Sequence, residues 1–228
     1  MLKRIYLIAI AALLSTCCCQ KEDYGWVKTG IDRAHHQLMM TAARIDGTDM
    51  LPRSIWSGYD LDMLGTQLEK DVETFKDSLR AQPAAETLGT LRLCGIYDWT
   101  SGFFAGDLWL AYELTADKKL EAAARKYTSM LHDIKDFTGH HDLGFMIYCS
   151  YGRQWANFQE PEVLQVIIDA ANSLCTRFNP EIGQIRSWDF GEWNYPVIVD
   201  NLMNLEMLFF ATRTNTSSRS FAPKAEIT

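Results

Sequence analysis

Seven stretches of this 228-residue chain repeat apolar side chains every three or four positions, which is the period of one face of an α-helix. They cover residues 31–45, 61–79, 101–114, 119–134, 142–152, 161–178 and 196–212. In the second, Leu61, Leu64, Leu68, Val72, Phe75 and Leu79 share a stripe; in the fourth, Leu120, Ala123, Ala124, Tyr127, Met130, Leu131 and Ile134 do. Pro161 and Pro196 suit a first helical turn, where a missing N–H costs nothing. Gly139 and Gly152 read as stops. No stretch alternates well enough to read as a strand. The expected fold class is all-α, with about seven helices.

These helices are of two kinds. Residues 119–134 and 161–178 carry charged outer faces, whereas 101–114, 142–152 and 196–212 are apolar nearly all round and rich in Gly, Met and aromatics. A helix apolar on every side is expected to be buried on every side. Alternation of half-exposed and fully buried helices is the pattern of concentric rings, an α/α toroid; a helical bundle or a solenoid would use the same faces. The solenoid needs a repeat period that the chain does not show.

The two ends differ from the middle. Lys3 and Arg4 precede an apolar run over 5–14, then Ser15-Thr16-Cys17-Cys18-Cys19. A basic start, a short apolar core and small residues describe an export signal, and the run is too short to span a bilayer, which takes ~20 residues. The stretch ending at Cys17 resembles a bacterial lipobox, which implies lipidation at Cys17 and an exported, periplasmic or cell-envelope lipoprotein. Domain boundaries follow: 1–19 as signal and lipobox region, 20–212 as the helical domain, and 213–228 as an irregular Ser/Thr-rich tail. Cys94, Cys149 and Cys175 lack any metal-ligand or disulfide spacing and read as buried free thiols. A net charge of −7 argues against a nucleic-acid partner, which a basic face would mark.

Two carboxylates stand out. Asp200 sits inside the apolar run of residues 195–210, where burial would raise its pKa and suit it to act as a general acid. The plainer account is an Asp meeting a helix N-terminus. Asp142 follows His140 and His141 and precedes an apolar helix, so it reads equally as a helix cap or a functional acid. Adjacent histidines on a helix point about 100° apart and do not form the i, i+4 pair of a zinc site. His35-His36 reads as solvated or at the core edge. Trp99, Trp188 and Trp193 lie in loops before the apolar helices, where indole faces could pack on sugars or simply fill the core. Gly102, Gly106, Gly144 and Gly191 beside them permit close backbone approach. Two separated Asp with loop Trp suits carbohydrate chemistry.

Three blocks carry a resemblance: Asp98-Trp-Thr-Ser-Gly-Phe-Phe-Ala-Gly-Asp-Leu-Trp-Leu-Ala-Tyr112, His140-His-Asp-Leu-Gly-Phe145 and Asp200-Asn-Leu-Met-Asn-Leu205. In order and spacing they are similar to the unsaturated glucuronyl hydrolases, glycoside hydrolase family 88, over about residues 31–211. The resemblance implies a six-hairpin α/α toroid acting on unsaturated uronic-acid oligosaccharides, with no metal or organic cofactor. It assigns Asp200 as general acid/base and Asp142 as the second essential carboxylate. It also places His141, Trp99 and Trp188 around the unsaturated sugar. The implied chemistry is hydration of an enol ether: proton transfer to C4, water attack at C5, then ring opening.

Members of that family are longer, so the expectation for this chain is an incomplete toroid, C-terminally truncated, with the closing helices not represented. Two functional classes are then in view. One is an active hydrolase. The other is a lipid-anchored, non-catalytic remnant with at most weak glycan binding.

Overall fold

A computed structural model describes residues 24–56 and 89–214. It divides into two units, Met1–Ala34 and His35–Thr228. The expected helix at 61–79, the lipidation site at Cys17 and the tail beyond 214 lie outside the described residues.

Six α-helices are present among the described residues: α1 (Gly25–Arg44), α2 (Ser101–Thr115), α3 (Lys118–Ser129), α4 (Tyr151–Phe158), α5 (Pro161–Cys175) and α6 (Asn201–Thr214). In the first unit, Lys28 pairs with Asp32 at 2.8 Å across one turn of α1. All further contacts described here belong to the second unit.

Consecutive helices form packed pairs, α2 with α3 and α4 with α5. Trp109 of α2, fully buried, donates its indole N–H to Thr128 Oγ1 of α3 at 2.9 Å. Tyr127 donates its hydroxyl hydrogen to the Ala42 carbonyl at 2.9 Å, tying α3 to the end of α1. Each aromatic thus buries its apolar body while its polar tip finds a partner. Asp117 caps α3 by accepting from Lys119 N at 2.8 Å, and Pro161 stands at the start of α5 as its sequence suggested.

The strand expectation is corrected. Leu51–Ile55 (β1) pairs antiparallel with Leu91–Cys94 (β2), and Phe178–Asn179 (β3) pairs with Gln184–Ile185 (β4). Each ribbon is too short to show a period-2 signature, and the first carries an irregularity between Pro52 and Ser54 that breaks its alternation. The helix boundaries at 142–152 and 196–212 are also corrected. Residues Gly144–Tyr148 form a π-helical turn, and Gly152 lies inside α4 instead of ending a helix. Pro196 lies five residues before α6, where its carbonyl accepts from Ser187 N at 2.8 Å.

The π turn has a packing cause. A Cβ on Gly102 would sit 2.2 Å from the Phe145 carbonyl oxygen, and one on Gly144 would sit 2.6 Å from Asn204 Cα. The turn is therefore pressed between α2 and α6 at backbone contact distance, which only glycine allows on each side. Burial of α6 on all sides, expected from its sequence, is not what is found: Leu202 is 54% and Phe209 40% exposed, while Leu205, Met207, Leu208 and Ala211 are buried.

Candidate active site

Asp142 and Asp200 meet through a ladder of three short segments. His140 and Trp188 form an antiparallel bridge, and His141 N donates to the Ser187 carbonyl at 2.9 Å. Ser187 in turn accepts from Ile198 N on Oγ at 3.1 Å, just before α6. Residues 140–142, 185–188 and 196–200 thus lie side by side, and carboxylates 58 positions apart in sequence face one another.

His141 is the hub. It is 1% exposed, and its Nε2 is 3.4 Å from Asp142 Oδ1 and 3.6 Å from Asp200 Oδ1. On the other side of Asp142, His140 Nδ1 is 3.0 Å from Oδ2, and His140 Nε2 donates to the Tyr97 carbonyl at 3.1 Å. The adjacent histidines bracket one carboxylate from opposite sides and do not converge on a common point. Asp142 is no helix cap: the residue flanking the π turn is Leu143, and the Asp142 side chain faces imidazoles.

Asp200 precedes the first residue of α6. Its Oδ1 is buried without a hydrogen-bond partner among the described residues, although the side chain as a whole is 39% exposed. Burial pushes its carboxyl above the ordinary aspartate range; charge on His141 opposes this and the Asp142 carboxylate adds to it. Asp200 is therefore biased toward its protonated form.

One donor atom each from His141, Asp142 and Asp200 lies within 4.8 Å of the others, close enough to consider a cation. A cation there would need both carboxylates ionised, and burial of Asp200 works against that ionisation.

Of the residues predicted around the sugar, Trp188 is bridged to His140 and stacks on Phe190 with centroids 5.6 Å apart. Trp99 follows the Tyr97 carbonyl that His140 binds by two residues, and it packs edge-on against Phe103 and Phe145, each at 5.9 Å. Its loop is tied down by Asp98, which accepts from Thr100 N at 2.9 Å and pairs with Arg53 at 2.9 Å. Trp193 is exposed beyond Trp188, 6.2 Å from it.

Three contributors were not singled out from sequence. Asn201 hydrogen-bonds His141 Nδ1 and donates to the Ile185 carbonyl at 2.8 Å. Asn204, one turn later, accepts from Phe145 N at 3.3 Å and donates to the Asp200 carbonyl at 3.4 Å. Both stand in the third motif, where Asn three apart inside an apolar helix was the available signal. Arg177, its side chain 5% exposed, grips Asp189 with two bonds of 3.0 Å, the Arg186 carbonyl at 2.8 Å and the Thr138 carbonyl. It thereby joins the loop before His140 to the loop that carries Trp188.

A family profile described as a domain of unknown function matches residues 1–70. An unsaturated glucuronyl hydrolase of Formosa agariphila is 47% identical over 121 residues, 51% of this chain and 30% of that protein. An unsaturated chondroitin disaccharide hydrolase of Streptococcus agalactiae is 39% identical over 119 residues, 50% of this chain and 30% of that protein. The solved structure of an unsaturated glucuronyl hydrolase specific for heparin matches with a TM-score of 0.71 at 36% identity, covering 90% of this chain and 46% of that one. The chain spans less than half the length of each of these relatives. The helical pairs are those of an α/α toroid, as the sequence pattern suggested. By sequence and by fold, the chain is similar to unsaturated glucuronyl hydrolases over the part of their length that it matches.

Proposed function

We propose that the chain is a hydrolase that removes a 4,5-unsaturated uronic acid from the non-reducing end of oligosaccharides produced by polysaccharide lyases. The observation that carries this reading is the convergence of Asp142 and Asp200 on buried His141. Relatives named for unsaturated glucuronyl and chondroitin disaccharide hydrolysis support the substrate class.

The unsaturated uronate is an enol ether, so its C4 accepts a proton and leaves an oxocarbenium ion at C5. Asp200, held toward its neutral form, supplies that proton. The resulting carboxylate takes a proton from the water that attacks C5, which restores the acid. The hemiketal then opens, and the neighbouring sugar leaves from C1. Asp142, ionised beside it, helps keep Asp200 protonated and can accept hydrogen bonds from sugar hydroxyls. Trp99 and Trp188 wall the subsite. Because water adds at C5, the carboxylate spacing that separates retaining from inverting glycosidases does not apply. The same reading places the enzyme outside the cytoplasm, in the periplasm or cell envelope, anchored through a lipid on Cys17.

The test pairs an unsaturated chondroitin or heparin disaccharide with its saturated counterpart, following ultraviolet absorbance and released sugar. Cleavage of the unsaturated sugar alone is expected. Equal cleavage of both would make the chain an ordinary glycosidase, and no cleavage by a cooperatively folded chain would leave the non-catalytic remnant.

A further inference from the structure

The hydrogen bonds around Asn201 determine where the ring proton of His141 sits. Asn201 points Nδ2 at the Ile185 carbonyl oxygen, 2.8 Å away, and a carbonyl oxygen only accepts. The amide orientation is therefore fixed, and Oδ1 faces His141 Nδ1 as an acceptor. Nδ1 must carry hydrogen. A neutral imidazole has a single N–H, so the neutral ring presents Nε2 as a bare lone pair to Asp142 Oδ1 and Asp200 Oδ1.

That arrangement has an electrostatic consequence. A lone pair facing two carboxylate anions is repulsive, whereas one facing a neutral carboxyl accepts a hydrogen bond. Asp200 Oδ1 is the buried oxygen that has no hydrogen-bond partner among the described residues. That oxygen is itself buried, although the rest of the Asp200 side chain is partly exposed, and the His141 ring it faces is 1% exposed. The ionisable groups facing the ring are Asp142 from its own segment and Asp200 from the start of α6, with His140 behind Asp142. From the 185–188 segment the facing groups are main-chain carbonyls, those of Ile185 and Ser187.

We propose that Asn201 is a positioning residue that acts through His141: whenever the ring is neutral, Asn201 holds it as its Nδ1–H tautomer and so turns Nε2 into the acceptor that favours the protonated carboxyl of Asp200 over its anion. The consequence for turnover rests on the hydrolase reading; the tautomer itself does not. Replacement of Asn201 by leucine removes the acceptor from Nδ1. The ring proton then moves to Nε2, where the Asp142 and Asp200 oxygens attract it, and the ionised form of Asp200 gains the hydrogen bond instead.

The experiment is nitrogen NMR of the full chain labelled with ¹⁵N at histidine, with His141 assigned by loss of its signals in His141→Gln. In the neutral ring of the wild type, Nδ1 is expected to be protonated and Nε2 bare; a protonated Nε2 overturns the proposal. In Asn201→Leu the proton is expected on Nε2. In the same variant the alkaline limb of kcat/KM against pH moves to lower pH, with about a tenfold loss on that limb for each pH unit of displacement. A limb that stays in place while the tautomer changes would contradict the positioning role. Should the leucine variant fail to fold, Asn201→Ser keeps a small polar side chain without the fixed acceptor, and mixed tautomers with a smaller displacement are expected; an unchanged tautomer overturns the proposal. Absence of turnover in the wild type would count against the hydrolase reading and leave the NMR result standing.

Discussion

Asp200 carries its function in its environment. The carboxyl is pushed up by burial, and by the negative charge of Asp142, against the opposing effect of charge on His141. A group whose folded-state pKa is raised stabilises the fold at low pH, and that contribution is lost as pH rises through the folded value. Asp200→Asn removes the cost of the buried anion. The variant is expected to unfold at a higher temperature than the wild type at neutral pH, with the difference vanishing below the ordinary aspartate range. Thermal midpoints at pH 7 and pH 3 check this, and a variant equally destabilised at both would contradict it. An activity gain is not expected, because the proposed reaction delivers that same proton to the substrate.

At the scale of elements, the site depends on how closely α2, the π turn and α6 approach. A methyl on Gly144 would meet Asn204 Cα at 2.6 Å and Asn204 Oδ1 at 2.7 Å, both in the helix that Asp200 precedes. Overpacking of this kind costs ~1–3 kcal/mol. Gly144→Ala should therefore lower the melting midpoint by roughly 2–12 °C. It should also lower kcat more than it raises KM, since it separates Asp142 from Asp200; calorimetry and steady-state kinetics together measure both. The close approach was legible in sequence, because Gly102 and Gly144 stand inside apolar blocks where glycine has no local reason to be. So were α2 and the starts of α3 and α5, whereas the stripe expected to run to Ile134 leaves α3 at Ser129 and continues as a 3-10 turn over His132–Asp136, and α5 ends at Cys175. The π turn was not legible: its geometry comes from neighbours pressing on the backbone, and its side chains keep a helical period. The ribbons β1–β2 and β3–β4 were missed because two to five residues carry too little alternation. Asp142 and Asp200 were legible as charges in apolar surroundings. Asn201 was not, since a polar residue at a helix start looks the same whether it faces solvent or fixes a buried imidazole.

At the scale of the whole molecule, the chain combines an acidic surface, buried thiols and the first 19 residues of mixed basic and apolar character. Burial pushes the Cys149 thiol up to about 11, and Cys94 is raised for the same first reason, so these are packing residues and not nucleophiles. Cys17 is different in kind, because the proposed anchor uses its thiol in a thioether to lipid. Expressed in a bacterium with lipoprotein processing, the chain should incorporate labelled palmitate and partition into detergent, and Cys17→Ala should abolish both. Retention of label in that variant would move the modification to Cys18 or Cys19 or remove the anchor from the account.

The central claim is that one neutral and one ionised carboxyl, Asp200 and Asp142, perform the hydration. Its most direct test is the turnover of an unsaturated uronate disaccharide by the wild type, Asp142→Asn and Asp200→Asn under identical conditions, read as loss of ultraviolet absorbance. The account predicts measurable turnover in the wild type and a fall of about 10²–10⁴-fold in Asp200→Asn, the usual loss with a general acid. Asp142→Asn is expected to fall as well, with its pH profile displaced to lower pH because the charge that holds Asp200 protonated is gone. Wild-type turnover that persists in Asp200→Asn would contradict the account outright.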